Sequence, residues 1–65
     1  MPAGVVSAFD VHVGLGEIIA DDGAVLTFQC IGIADGTRTI DVGTPVNYAL
    51  LPKLGRYEAT AITRR

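Results

Sequence analysis

Leu15-Gly16-Glu17-Ile18-Ile19-Ala20-Asp21-Asp22-Gly23-Ala24-Val25-Leu26-Thr27-Phe28-Gln29-Cys30 decides the fold of this chain. Two short apolar-rich runs flank Asp21-Asp22-Gly23, the clearest turn signal present. Asp-Gly supplies a positive φ at little cost and joins antiparallel strands in a hairpin. Residues 15–20 and 24–30 therefore read as successive strands. In the second, alternation puts Leu26 and Phe28 on one face and Thr27 and Gln29 on the other. Working outward, residues 5–9 are β-branched and apolar and give a first strand, closed by a polar-to-glycine break at residues 10–14. Residues 32–43 carry three glycines and Asp35-Gly36, a pattern that predicts an irregular connection. Val46, Tyr48 and Leu50 alternate with Asn47, Ala49 and Leu51, predicting a fourth strand with an inward Val/Tyr/Leu face that Pro52 ends. Gly55 turns the chain, and residues 56–63 form the fifth strand. The expectation is an all-β fold, a five-stranded antiparallel Greek-key barrel of the OB-fold type, with an SH3-like barrel as competitor on spacing.

Length and composition agree with this reading. Sixty-five residues allow one domain, spanning residues 1–65. With 49% apolar and 18% charged residues, the chain can offset its ordering entropy by burial. Eight glycines and three prolines argue against a helical bundle, whereas a closed sheet pairs most strand edges within a short chain. Cys30 is the only cysteine, so no internal disulfide can form. No apolar run approaches the roughly 18 residues of a membrane span, and the Met-Pro-Ala-Gly start lacks the features of a signal peptide. The expectation is a soluble cytoplasmic protein with no membrane contact. Charge is uneven: residues 1–52 hold one base and six acids, and residues 53–65 hold four bases and one acid. A polyanion would be repelled by most of the chain and drawn to its C-terminal end.

The order of glycines and strand faces resembles the cold-shock domain family over nearly the whole chain. Gly4, Val6, Phe9 and Asp10 match the family's opening Gly-x-Val-x-Trp-Phe-Asn. Val13-Gly14-Leu15-Gly16-Glu17-Ile18 corresponds to its first ribonucleoprotein motif, Lys-Gly-Phe-Gly-Phe-Ile. Leu26-Thr27-Phe28-Gln29-Cys30 corresponds to the second, Val-Phe-Val-His-Phe. Residues 36–48 follow the family's Gly-Phe-Lys-Ser/Thr-Leu, acidic-x-Gly and Val-x-Phe order, and residues 56–62 echo its closing segment. The resemblance implies an OB-type barrel that binds single-stranded RNA or DNA and acts in RNA chaperoning, in control of transcription or translation, and in stress response.

The departures concern the binding chemistry. In the family, aromatic side chains of the first three strands form a platform on which bases stack, at about 1–3 kcal/mol per base. Here Ala8 replaces the tryptophan, Leu15 and Glu17 replace the phenylalanines of the first motif, and Val13 replaces its lysine. In the second motif Thr27, Gln29 and Cys30 stand for Phe, His and Phe, and Thr37 replaces the loop phenylalanine. Only Phe9 keeps a ring at a platform position. The implied binding is weak or atypical. Bases would dock near Phe9, Leu15, Thr27 and Gln29, with Arg38, Lys53, Arg56 and Tyr57 guiding the backbone. The alternative is a protein-interaction or self-assembly module, with a homodimer or a protein partner, that keeps the barrel and has lost the ligand.

Other residues read as structural. Cys30 is a small apolar filler near the rim of the third strand. His12 is a solvated loop residue with no nucleophile beside it. Asp21-Asp22 serves the turn by bonding local backbone rather than a metal. Gly14-x-Gly16 lacks the third glycine and helix of a phosphate loop, and permits close backbone approach in a barrel. Tyr57 either stacks on a base or caps the barrel. No catalytic constellation, cofactor site or metal site emerges, and the expectation is a non-enzyme.

Overall fold

The computed structural model describes residues 2–65. It contains β1 (Ala3–Asp10), β2 (Leu15–Ala20), β3 (Val25–Gln29), a 3-10 turn (Cys30–Gly32), β4 (Pro45–Lys53) and β5 (Arg56–Arg64). The strands close into a barrel in the order β1-β2-β3-β5-β4, an OB-fold-type arrangement. Four seams are antiparallel, and the β3–β5 seam is parallel, with Thr27 beside Glu58 and Phe28 beside Ala59. An odd ring of strands cannot alternate direction all the way round, so one seam must be parallel.

The turn read from Asp21-Asp22-Gly23 forms as expected. Gly23 takes φ +90°, and the Asp22 carboxylate accepts a hydrogen bond from the Ala24 N–H at 3.0 Å. β2 has the predicted bounds, whereas β1 is longer at both ends and β3 is one residue shorter at each end. Cys30, assigned to the rim of the third strand, instead opens the 3-10 turn and is half-buried. Pro52 does not end the fourth strand: β4 continues to Lys53, with Pro52 opposite Tyr57. β1 pairs with β4 only through Ala3–Asn47, Gly4–Val46 and Val5–Pro45. The Tyr48 N–H still donates to the Pro2 carbonyl at 3.0 Å, and beyond it β4 pairs with no strand on that side, where a missing N–H is tolerated.

Ten buried residues form one core: Val6, Ile18, Ala20, Phe28, Ile33, Ile40, Val46, Tyr48, Ala59 and Ile62. Val46 and Tyr48 point inward as predicted, and burial pushes the Tyr48 phenol up, with Asp22 and Asp21 adding to the shift. Leu50 is a correction: it is 48% exposed, because it reaches past the core to the rim beside Leu26 and Tyr57. Ile33 and Ile40 plug the barrel from the irregular connection, which the strand pattern gave no reason to expect. Between the Ala49–Thr60 and Asn47–Thr63 pairs, two residues on β5 (Ala61 and Ile62) oppose one on β4 (Tyr48), and Ala61 takes φ +50° at this irregularity. The bulge lets both Ala59 and Ile62 face inward although they are three positions apart.

Arg64 fastens the connection to the barrel. Its guanidinium pairs with Asp35 and donates to the Thr37 hydroxyl at 3.2 Å and the Thr39 carbonyl at 3.0 Å. The Thr37 hydroxyl and N–H donate to Asp35 at 2.6 and 3.0 Å, and with the Arg64 charge they hold the Asp35 carboxyl below its ordinary value of 3.8. A depressed folded value means that the stabilisation is present above that ordinary value and is lost as pH falls through the folded one. In an NMR titration the Thr37 amide should therefore stay unmoved until the pH drops below about 3.8. In Arg64→Ala the midpoint should rise and residues 35–39 should lose hydrogen-exchange protection. A midpoint at or above the ordinary value in the unaltered protein would contradict this.

Candidate functional site

Alternation and register assemble one outer face from the strands that the sequence reading singled out. Cross-strand pairing lines up Asp10, Leu15 and Gln29 in one row, Ala8, Glu17 and Thr27 in the next, and Val5, Ile19 and Val25 in a third. Through the parallel seam, Thr27 continues to Glu58 on β5 and then to Leu51 on β4. Lys53 pairs with Arg56 beside them, at the β4–β5 turn. Leu15, Thr27, Gln29, Lys53 and Arg56 are all exposed on this side of the barrel. A shallow depression lined by Ala8, Phe9, Leu15, Glu17 and Thr27 occupies the β1–β3 part.

Phe9 sits differently from the expectation. Simple alternation from the buried Val6 would turn Phe9 outward. Instead, the Val6–Ile18 and Ala8–Glu17 pairs leave Ser7 as an extra residue, a bulge that inverts the phase of β1. Ala8 therefore points out, and Phe9 lies opposite the buried Gly16 and packs on the core. Its ring stacks on Phe28, with centroids 5.9 Å apart and planes 14° from parallel. Phe9 borders the depression with part of its ring but does not offer an open stacking platform. The outer face of β1–β3 thus presents no fully exposed aromatic side chain, and the 1–3 kcal/mol per base that stacking contributes is largely missing there.

A second feature lies where β3 and the 3-10 turn meet β4 and β5. A groove of about 160 Å³ is lined by Gln29, Gly32, Leu51, Lys53, Glu58 and Thr60, with Ile31 at its edge. Glu58 is the one buried charged residue among those described, and its Oε2 accepts a hydrogen bond from Arg56 Nη2 at 2.9 Å. In the sequence Glu58 stands only as one acid in a basic tail. Arg56-x-Glu58 on a strand puts opposite charges on one face, and that spacing was the available signal.

The C-terminal basic end is largely neutralised internally. Arg56 pairs with Glu58, Arg64 with Asp35, and Arg65 lies 4.0 Å from Asp21 while donating to the Gly4 carbonyl. Among the described residues, Lys53 and Arg38 make no ion pair. Arg38 is not among the residues of the groove but lines a separate cleft with Cys30, Ile31, Ile33 and Gly36, Ile31 being common to both. Tyr57 faces away from Arg56 and Glu58 and joins Leu26, Tyr48 and Leu50 at an apolar rim. Tyr57 is itself 57% exposed.

Asp10 organises the β1–β2 loop, accepting hydrogen bonds from the N–H groups of His12 and Val13 at 2.9 and 3.2 Å. His12 is exposed. Among the described residues no group of three or more His, Cys, Asp or Glu side chains is placed to hold a metal ion, and no helix is long and apolar enough to cross a membrane. No protein-family model matches this sequence, and no curated protein matches it either.

Proposed function

We propose that this chain is a divergent cold-shock-like protein that binds single-stranded RNA or DNA weakly, as an RNA chaperone or a regulator of transcription or translation. The observation that supports the reading is the convergence of Leu15, Thr27 and Gln29 with Lys53 and Arg56 on one face of a five-stranded barrel. In OB folds the strand 2–3 face and the loops between strands 1 and 2 and strands 4 and 5 take up oligonucleotides. Thr27 and Gln29 offer hydrogen bonds to base edges, Leu15 offers apolar contact, and Lys53 and Arg38 offer phosphate contacts. Glu17 and Asp10 on the same face oppose the approach of phosphate, which keeps affinity low.

Among the described residues two cations outside ion pairs, Lys53 and Arg38, set the salt dependence. Each phosphate contact on a single strand contributes about −0.7 to the slope of log K against log salt, so the slope should be near −1.4. Fluorescence titration with labelled mixed-sequence oligonucleotides at low salt should give saturable binding, on the order of 10⁻⁴ to 10⁻⁶ M. Arg38→Ala should weaken binding to all sequences alike and reduce the slope by about 0.7. Absence of binding at high-micromolar protein would refute the reading.

A specific observation supports the second reading, a self-association or protein-docking module. Val5, Ile19 and Val25 form an exposed apolar row across β1, β2 and β3. Such a row on a flat sheet can pair with its own copy across a two-fold axis. Sedimentation showing a mass that rises with concentration, and that falls back to monomer in Ile19→Lys, would support it.

A further inference from the structure

The groove between β3 and the β4–β5 hairpin has a donor and acceptor arrangement that chooses among bases. From it we infer that the groove is a subsite for a single guanine. This inference rests on the nucleic-acid reading above and deepens it. A groove of about 160 Å³ is too small for a drug-sized ligand, whose pockets run to roughly 300–1,000 Å³, and suits one ring system.

Strand register places Glu58 in the middle of the groove. Leu51 lies directly opposite it on β4 and Thr27 beside it on β3. Lys53 and Arg56 form the next row on one side, Thr60 and Ala49 form the row on the other, and Gln29 also lines the groove. Diagonal neighbours across an antiparallel pair stand about 7–8 Å apart, within reach of a lysine side chain acting on the same base as Glu58. Among the described residues no hydrogen bond to Oε1 of Glu58 is formed, and no buried side-chain polar atom is left without a partner. Oε1 therefore keeps some accessible surface, and Glu58 is among the residues that line the groove. Oε2 holds Arg56 and keeps a second lone pair.

A carboxylate accepts and an ammonium donates, so the matching base edge carries N–H donors next to a carbonyl. Guanine presents that edge: its N1–H and 2-amino group suit the Glu58 carboxylate, and its O6 suits the Lys53 ammonium. Cytosine and adenine turn a ring-nitrogen acceptor toward the carboxylate. Uracil and thymine keep one N–H but set a carbonyl oxygen where guanine has its 2-amino group. Leu51 and Ile31 supply apolar walls for the ring faces. Carboxylate acceptance of base N–H donors is an established readout, and a bidentate pairing discriminates by about 1–3 kcal/mol, or roughly fivefold and more.

The test compares a labelled oligo-dC, the same strand with one central guanine, and the same strand with inosine at that place. The guanine strand should bind about fivefold or more tightly than oligo-dC, with inosine between them because it lacks the 2-amino group. Glu58→Gln should abolish the difference, since an amide presents only one acceptor. Lys53→Ala, an exposed position that leaves the fold intact, should reduce the difference and guards against a folding failure of the first variant. A parallel NMR titration with guanosine and cytidine monophosphates reads the amides of Gln29, Lys53, Glu58 and Thr60, which should move with the first only. Oligonucleotides that bind without a guanine preference would overturn this inference and leave the proposed function standing. If no oligonucleotide binds, the proposed function falls, and the mononucleotide titration decides the subsite by itself: guanosine-specific shifts keep it, and their absence ends it.

Discussion

Phe28→Ala should remove about 3–5 kcal/mol of folding stability, a large share of what a domain of this length has. Phe28 is fully buried in β3, stacks on Phe9 and touches the Gly16 backbone, so its ring is the joint between β1, β2 and β3. Removing a buried phenylalanine ring costs about 3–5 kcal/mol, part lost transfer energy and part cavity. A domain of this length, at roughly 0.05–0.15 kcal/mol per residue, has a total stability of about 3–10 kcal/mol. The loss is thus comparable to the whole margin. Circular dichroism with urea denaturation measures it directly. A midpoint equivalent to less than about 1 kcal/mol of destabilisation would show that neighbouring side chains can fill the space.

Gly16→Ala should be nearly as damaging, for the opposite reason. A Cβ at Gly16 would lie 2.5 Å from Phe28 Cζ and 2.7 Å from the Ala8 carbonyl oxygen. Gly16 is buried opposite Phe9, so the methyl group has no outward escape. Overpacking of this kind typically costs about 1–3 kcal/mol and more where backbone must move. In a domain of 60–100 residues each 1 kcal/mol lowers Tm by about 4–8 °C, so thermal unfolding should fall by about 4–24 °C. The double variant Gly16→Ala/Phe28→Leu should recover part of the loss relative to the sum of the single changes, because the smaller side chain vacates the contact. Strict additivity would mean that the clash is with backbone alone.

Both predictions arise from the same corner of the barrel, and that corner shows how far the sequence could be read. The Gly14-x-Gly16 spacing was legible as a place of close backbone approach, and the structure bears this out at both positions. Gly14 takes φ +77° and its missing Cβ makes room for Cys30 Sγ, and Gly16 makes room for Phe28. Thr27 and Gln29 were legible as outward because β3 alternates without interruption. Phe9 was not, because an extra residue at Ser7 has no signature in a short β-branched run, and one extra residue exchanges inside for outside. Pro52 was misread for a related reason. A proline ends a strand only where its missing N–H is needed, and that depends on which strand lies alongside.

Charge shows the same division. The sequence establishes that four of the five Lys and Arg residues follow Pro52, and this asymmetry predicts a basic end. The fold spends three of those charges on Glu58, Asp35 and Asp21, the last two at sites far away in sequence. What is left for a ligand among the described residues is Lys53 at the groove and Arg38 in the separate cleft that shares Ile31 with it.

The sequence by itself determined the elements and the architecture: the Asp-Asp-Gly hairpin, five strands and an all-β barrel. These follow from local alternation and turn chemistry, which act over a few residues and leave their period in the chain. Only the tertiary structure decided the parallel closing seam, the inward turn of Phe9, the internal use of the basic tail and the buried carboxylate of Glu58 in its groove. Each of these depends on register between strands distant in sequence, and a one-residue shift in register changes which face a side chain joins without altering the pattern that marks the strand.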